Sequence, residues 1–169
     1  MSGFPNFSTN RLLLRPFRLT DAPAFFALND DPEVMRYVPD SPFRNIAEAR
    51  TFLANYLPIY ETGYGRLGIV RKFDNTLVGW CGLKPSPYNG VVDLGFRLNR
   101  QFWNRGYATE ASKKCLRYGF EELNLDRIVG RCAERNLASQ RVLIKIGMRL
   151  VGKFQEPDWS GLEYEVTHP

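Results

Sequence analysis

VVDLGFRLNRQFWNRGYATEASKKCLRYGFEELNLDRIVGRCAERNLASQRVLIKIGM, residues Val91 to Met148, decides how this chain folds. Its periodicity changes along its length. Val91 to Leu98 alternates as a strand, and a tight turn then holds Arg105-Gly106-Tyr107-Ala108-Thr109. From there Ala108, Ala111, Ser112, Cys115, Leu116, Gly119, Phe120 and Leu123 form a stripe at helical period, while Lys113, Lys114, Arg117 and Glu121 point elsewhere. The stripe is rich in small residues, which lets the helix sit close to a sheet. Asp126 to Ala133 alternates again, and Asn136 to Ile146 is a short helix stopped by Gly147 at a C-cap position. The strand, helix, strand order predicts a right-handed crossover joining two roughly parallel strands.

Working outward, Arg66 to Lys72, an Asp74-Asn75 turn and Thr76 to Leu83 read as a hairpin that Val91 to Leu98 extends into a three-stranded meander. Gly79 and Gly82 interrupt the middle strand, which suggests a bulge or a close backbone approach. Upstream, Thr9 to Phe17 is an early strand stopped by Pro16. Thr20 and Asp21 offer an N-cap to a helix over Ala22 to Asn29, and Glu33 to Tyr37 can add one turn. Asn45 and Glu48 have capping-box spacing at the head of a helix that places Ile46, Ala49, Phe52, Leu53 and Tyr56 on one face. Arg149 to Phe154 and Leu162 to Thr167 form a terminal hairpin around Pro157 to Gly161. The expectation is a single α+β domain over residues 1–169, with a mixed, mostly antiparallel six- or seven-stranded sheet and about four helices.

Composition agrees with one core: 169 residues, 44% hydrophobic and 14% aromatic. The net charge of +5 is spread along the chain, so a nucleic-acid surface is not indicated, although a local electropositive groove fits the same total. Three cysteines, Cys81, Cys115 and Cys132, lack C-x-x-C spacing, and the single histidine is His168. That inventory predicts no metal site and three buried free thiols in a reducing, cytoplasmic setting. The opening MSGFPNFSTNR has no apolar leader segment and no run approaches ~20 apolar residues, so a soluble protein with no membrane partner is expected.

A strand feeding a glycine-containing turn and then a helix leaves unpaired N–H groups and a positive dipole end at the helix start, which together suit an anion. Gly106 permits close approach, Ala108 leaves room, Thr109 adds a hydroxyl and Arg105 a charge. A pyrophosphate suits this geometry, yet a lone glycine is as readily a plain turn. Neither the dinucleotide fingerprint nor the P-loop is present.

The ordered motifs around this turn resolve the choice by resemblance. D-L-G-F-R-L at Asp93 to Leu98, W-N-R-G-Y-A-T-E-A at Trp103 to Ala111, N-x-x-S at Asn136 to Ser139 and I-G-M at Ile146 to Met148 resemble the acetyl-CoA-binding core of the GCN5-related N-acetyltransferases (GNAT). With R-L-L-L-R-P at Arg11 to Pro16 and V-G-W-C-G-L at Val78 to Leu83, the chain looks most like the branch containing the ribosomal-protein N-terminal acetyltransferases.

That resemblance implies the GNAT (acyl-CoA N-acyltransferase) fold and acetyl-CoA as cosubstrate. Its pyrophosphate would lie on the backbone amides of Asn104, Arg105, Gly106, Tyr107, Ala108 and Thr109, its pantetheine arm beside Phe96 and Leu98, and Asn136 would also contact it. The acetyl thioester would lie where the Val91 to Leu98 strand splays from its neighbour. Two features depart from the family pattern. Trp103 and Asn104 replace a usual Arg or Gln and a frequent glycine, and Leu143 stands where many members carry the tyrosine that protonates the leaving thiolate. Ser139 is then the remaining proton donor, with a helix-cap role as its alternative, and Asp93 is the leading base, with Glu48 and Asp40 behind it. Direct attack in a ternary complex needs neither a cysteine nucleophile nor a metal. The implied function is transfer of acetyl to a primary amine, either a protein N-terminus or a small molecule, by a monomer or homodimer. Residues Pro32 to Gly63 and the Trp159 loop are expected to shape the acceptor pocket. A catalytically inactive acetyl-CoA-binding regulatory module is the competing reading.

Overall fold

A computed structural model describes residues 3–169; Met1 and Ser2, part of the opening stretch read for a leader, lie outside it. Eight strands form one sheet: β1 (Phe7–Ser8), β2 (Leu12–Arg15), β3 (Gly65–Arg71), β4 (Thr76–Pro85), β5 (Val92–Leu98), β6 (Arg127–Cys132), β7 (Arg149–Gln155) and β8 (Ser160–Thr167), in the order β1-β2-β3-β4-β5-β6-β8-β7. The count exceeds the expected six or seven because Phe7 and Ser8 pair with Leu14 and Leu13. A two-residue strand carries no alternation for a sequence pattern to show. The expected strand over Thr9 to Phe17 shortens to β2 because Thr9 belongs to the turn, where its N–H donates to the Leu12 carbonyl at 2.9 Å.

Among the described residues five α-helices accompany the sheet, against about four expected: α1 (Ala22–Asp30), α2 (Pro32–Met35), α3 (Ile46–Tyr56), α4 (Tyr107–Glu121) and α5 (Leu137–Lys145). The single turn of α2 is a helix in its own right, capped by Asp31, which accepts from the Glu33 N–H at 3.0 Å. Asn45 caps α3 as expected, accepting from the Glu48 N–H at 2.9 Å, but the Glu48 carboxylate takes the Arg44 N–H rather than that of Asn45. Asp21 does not cap α1 with its side chain. Its oxygens accept from Arg15 at 2.8 and 2.9 Å and from the Arg18 N–H at 2.7 Å, a guanidinium being the stronger partner for a nearly buried carboxylate.

Alternation assigns the two faces of the sheet. On one, Leu67, Cys81, Leu83, Leu94 and Ile128 pack with Ala111 and Cys115 of α4 and Leu143 of α5. Gly119 brings α4 so near that an added Cβ would lie 2.6 Å from Ile128 Cδ1. On the other face, Phe17, Phe25, Ala49 and Leu53, with Leu77 and Trp80, form a second apolar layer under α1 and α3. Between β3 and β4 the register slips: Ile69 faces Gly79 while Val70 faces Leu77, so Val78 is the extra residue of the bulge.

The crossover places β5 and β6 side by side and parallel, paired only at Asp93 with Val129 and Leu94 with Gly130. Beyond Leu94 the two strands part. All three cysteines are buried and free, and no described helix is long and apolar enough to cross a membrane.

Candidate active site

Two features meet at the parting of β5 and β6: a backbone edge with no strand beside it, and the start of α4. The Asn99 N–H donates to Val78 O on the β4 side at 2.9 Å. Strand alternation then turns the main-chain groups of Phe96 and Leu98 toward the gap. The Leu98 carbonyl is already occupied, since Trp103 Nε1 donates to it at 2.8 Å. Trp103, a departure at the level of sequence, thus ties the turn back to the end of β5.

After Trp103 the backbone enters the left-handed region at Asn104 (φ 58°) and again at Gly106 (φ 78°), where α4 begins without a side-chain cap. Among the described residues, no backbone or side-chain acceptor takes the N–H groups of Asn104 to Thr109. These six unpartnered donors lie at the head of a 15-residue helix, an arrangement that suits an anion cradle. Ala108 is buried and small, and Tyr107 is buried beneath the Arg11 guanidinium, 4.5 Å from its ring. This donor set fits a pyrophosphate, and the adjoining open edge fits an extended amide chain.

Asp93 and Ser139 lie on opposite faces of the sheet. Asp93 lies on the face covered by α1 and α3, where Arg66 holds its carboxylate oxygens at 3.0 and 3.2 Å. Arg66 also donates to the carbonyls of Gly82 at 2.5 Å and Asp93 at 3.1 Å. It lies in a trough left by Gly95, where an added Cβ would sit 2.7 Å from Arg66 Cζ. Ser139 is on the α5 face, one helical turn before the buried Leu143 that packs on Gly130. Its N–H donates to Asn136 Oδ1 at 3.1 Å, so the two residues are an N-cap and its partner. The Ser139 hydroxyl makes no hydrogen bond among the described residues. Of the weaker base candidates, Asp40 pairs with Arg97 at 2.7 Å and Glu48 with Arg44 at 3.2 Å.

Three arginines that the sequence reading left unassigned line the face on which Asp93 lies. Arg66 and Arg97 flank Trp80, 5.5 and 5.1 Å from its ring. Arg131, one residue past the last β5–β6 pair, is held by Glu156 at 2.6 Å and Glu163 at 2.8 Å and stacks on Phe154. Each of these three guanidiniums is matched by carboxylates. At the margin of this face a cavity of about 480 Å3 opens between Tyr37, Val38 and Pro39 on one side and Asp158 and Trp159 on the other, with Ala133 at its base. Of the expected wall Pro32 to Gly63, residues Arg36 to Pro39 line this opening, together with the Trp159 loop. No sequence signal marks the ion pairs, whose partners lie 25 to 57 residues apart.

Residues 11–149 match the family described as the acetyltransferase (GNAT) domain. The chain belongs to the GNAT acetyltransferase family. It is 31% identical, over 93% of its length and 90% of the relative's, to the uncharacterized N-acetyltransferase YnaD of Bacillus subtilis. It is 28% identical to the putative ribosomal N-acetyltransferase YdaF of the same organism, over 73% of this chain and 70% of that protein, in keeping with the branch resemblance. A GNAT-family acetyltransferase from Bacillus anthracis superposes with a TM-score of 0.84 at 30% identity, covering 96% of this chain and 98% of that one. This GNAT chain is therefore an acetyltransferase, and members of its family use acetyl-CoA as cosubstrate. Among its described residues no group of three or more His, Cys, Asp or Glu is arranged to hold a metal ion.

Proposed function

We propose that this GNAT enzyme transfers acetyl from acetyl-CoA to a primary amine, a protein N-terminus or a small molecule, by direct attack in a ternary complex. The observation that carries this reading is the two-pair contact of β5 with β6 beside an uncapped helix start. Acetyl-CoA supplies the activated acyl group. The amides of Asn104 to Thr109 hold its pyrophosphate, the open edge at Phe96 and Leu98 aligns its arm, and Asn136 borders it from the head of α5. A Phe96 or Leu98 N–H turned into the gap polarises the acyl carbonyl.

The acceptor approaches from the cavity at Tyr37 and Trp159, on the Asp93 face. Asp93 is the base. Arg66 fixes its position, and each carboxylate oxygen keeps a lone pair for the ammonium proton or a relaying water. Ser139, on the opposite face with its hydroxyl unengaged, donates the proton to the departing thiolate. Capping and proton donation coexist here, because the cap uses the Ser139 N–H and leaves the hydroxyl free.

Thiol release across a panel of amines and short peptides tests the proposal. Asp93→Asn and Ser139→Ala should each lower turnover about a hundredfold while acetyl-CoA affinity changes little. An unmutated protein that binds acetyl-CoA yet releases no thiol with any amine would favour the regulatory-module reading instead.

A further inference from the structure

The hairpin that opens the sheet also braces the turn before α4. Three donors at its bend converge on one carboxylate: the Thr9 hydroxyl on Glu110 Oε1 at 2.6 Å, the Arg11 N–H on the same oxygen at 2.9 Å, and Arg11 Nε on Oε2 at 2.7 Å. The guanidinium so fixed donates through Nη1 to the Arg105 carbonyl at 2.8 Å, 94 residues along the chain. In a trans peptide the C=O and N–H point to opposite sides. Drawing the Arg105 carbonyl onto Arg11 therefore turns the Gly106 N–H outward, toward the cradle. Arg11 also lies close over Gly106, where an added Cβ would sit 3.3 Å from Nη2.

We propose that Arg11, oriented by Glu110, is a positioning residue that presets the 105–106 peptide for pyrophosphate and thereby sets affinity for the acetyl donor. This rests on the coenzyme A reading given above. Arg11 acts through the loop it braces, and the phosphate-binding donors remain the amides. A guanidinium is required because one side chain has to span the Glu110 carboxylate and the Arg105 carbonyl at once, which a lysine ammonium on a flexible stem does not do.

The test compares Arg11→Gln, Arg11→Lys, Glu110→Ala and the Arg11→Gln/Glu110→Ala double variant, measuring coenzyme A dissociation and turnover with acetyl-CoA and with acetyl-pantetheine, a donor without phosphates. Each single variant should weaken coenzyme A binding about tenfold, the loss of one charge-assisted hydrogen bond. Arg11→Lys should be as weak as Arg11→Gln, and the double variant no weaker than either single one. The preference for acetyl-CoA over acetyl-pantetheine should fall by the same factor, which general damage to the fold would not produce. Full rescue by lysine, equal losses with both donors, or unchanged coenzyme A affinity would each overturn the proposal. If the unmutated protein itself fails to bind coenzyme A, the cofactor reading falls first and this inference with it.

Discussion

At the scale of single residues, the site depends on where side chains are absent as much as on where they are present. Gly95 leaves the trough in which Arg66 reaches Asp93, and an added Cβ would meet three atoms of the guanidinium. Gly95→Ala should therefore destabilise the protein by about 1–3 kcal/mol in urea unfolding, through overpacking against Arg66. Arg66→Met should cost more, about 3 kcal/mol or above, because it leaves the largely buried Asp93 carboxylate without its partner. Pairing it with Asp93→Asn should recover part of that loss, and a double-mutant cycle measures how much. Glycines in strands point to close approaches, and Gly82 meets that expectation by lying against the Gly65 carbonyl. Nothing along the chain says that the occupant of the trough is Arg66, 27 residues before Asp93.

Elements act here mainly through their ends. The head of α5 is held by Asn136, whose side chain takes the Ser139 N–H, so Asn136→Ala should cost about 1 kcal/mol of stability. In the proposed mechanism it should also raise KM for acetyl-CoA; thermal unfolding and steady-state kinetics separate the two effects. The first turn of α4 is joined to the β1–β2 hairpin through Glu110. Burial by itself would raise that carboxyl, but the Thr9 hydroxyl, the Arg11 N–H and the Arg11 guanidinium override it and hold the group below its ordinary value near 4.5. A depressed folded value means that the link stabilises the protein above that ordinary value and fades as acid protonates the folded form. The stability difference between the unmutated protein and Glu110→Gln, about 1 kcal/mol at neutral pH for a pair whose arginine is partly exposed, should shrink below about pH 4.5. Urea midpoints at a series of pH values check it.

Over the whole molecule, one sheet carries an apolar layer on each face, and β5 and β6 part beyond their two paired positions. All three thiols lie in that interior. Burial pushes the Cys132 thiol up to about 11, so it stays protonated and unreactive at neutral pH. Thiol reagents should label the native protein only as fast as it opens, with labelling accelerating in urea in step with unfolding. Much of this architecture could be read from sequence, because hydrophobic period is a local property. The meander, the α4 stripe, the closing hairpin and the turn at Gly106 each declare themselves within a few residues, and the order of motifs identified the family. Two-residue β1 escaped because it has no period to show. The roles of Arg11, Arg66, Arg97 and Arg131 escaped because an arginine's partner depends on which strands become neighbours. The sequence by itself determined most of the elements and named Asn104 to Thr109, Asp93 and Ser139 as candidates. Only the tertiary structure decided that Asp93 and Ser139 lie on opposite faces of the sheet, that Arg66 holds Asp93, and that Arg11 joins Glu110 to the Arg105 carbonyl. Pattern along a chain assigns each side chain a face of its own element, whereas ion pairs and strand splay arise from contacts between elements that no local pattern contains.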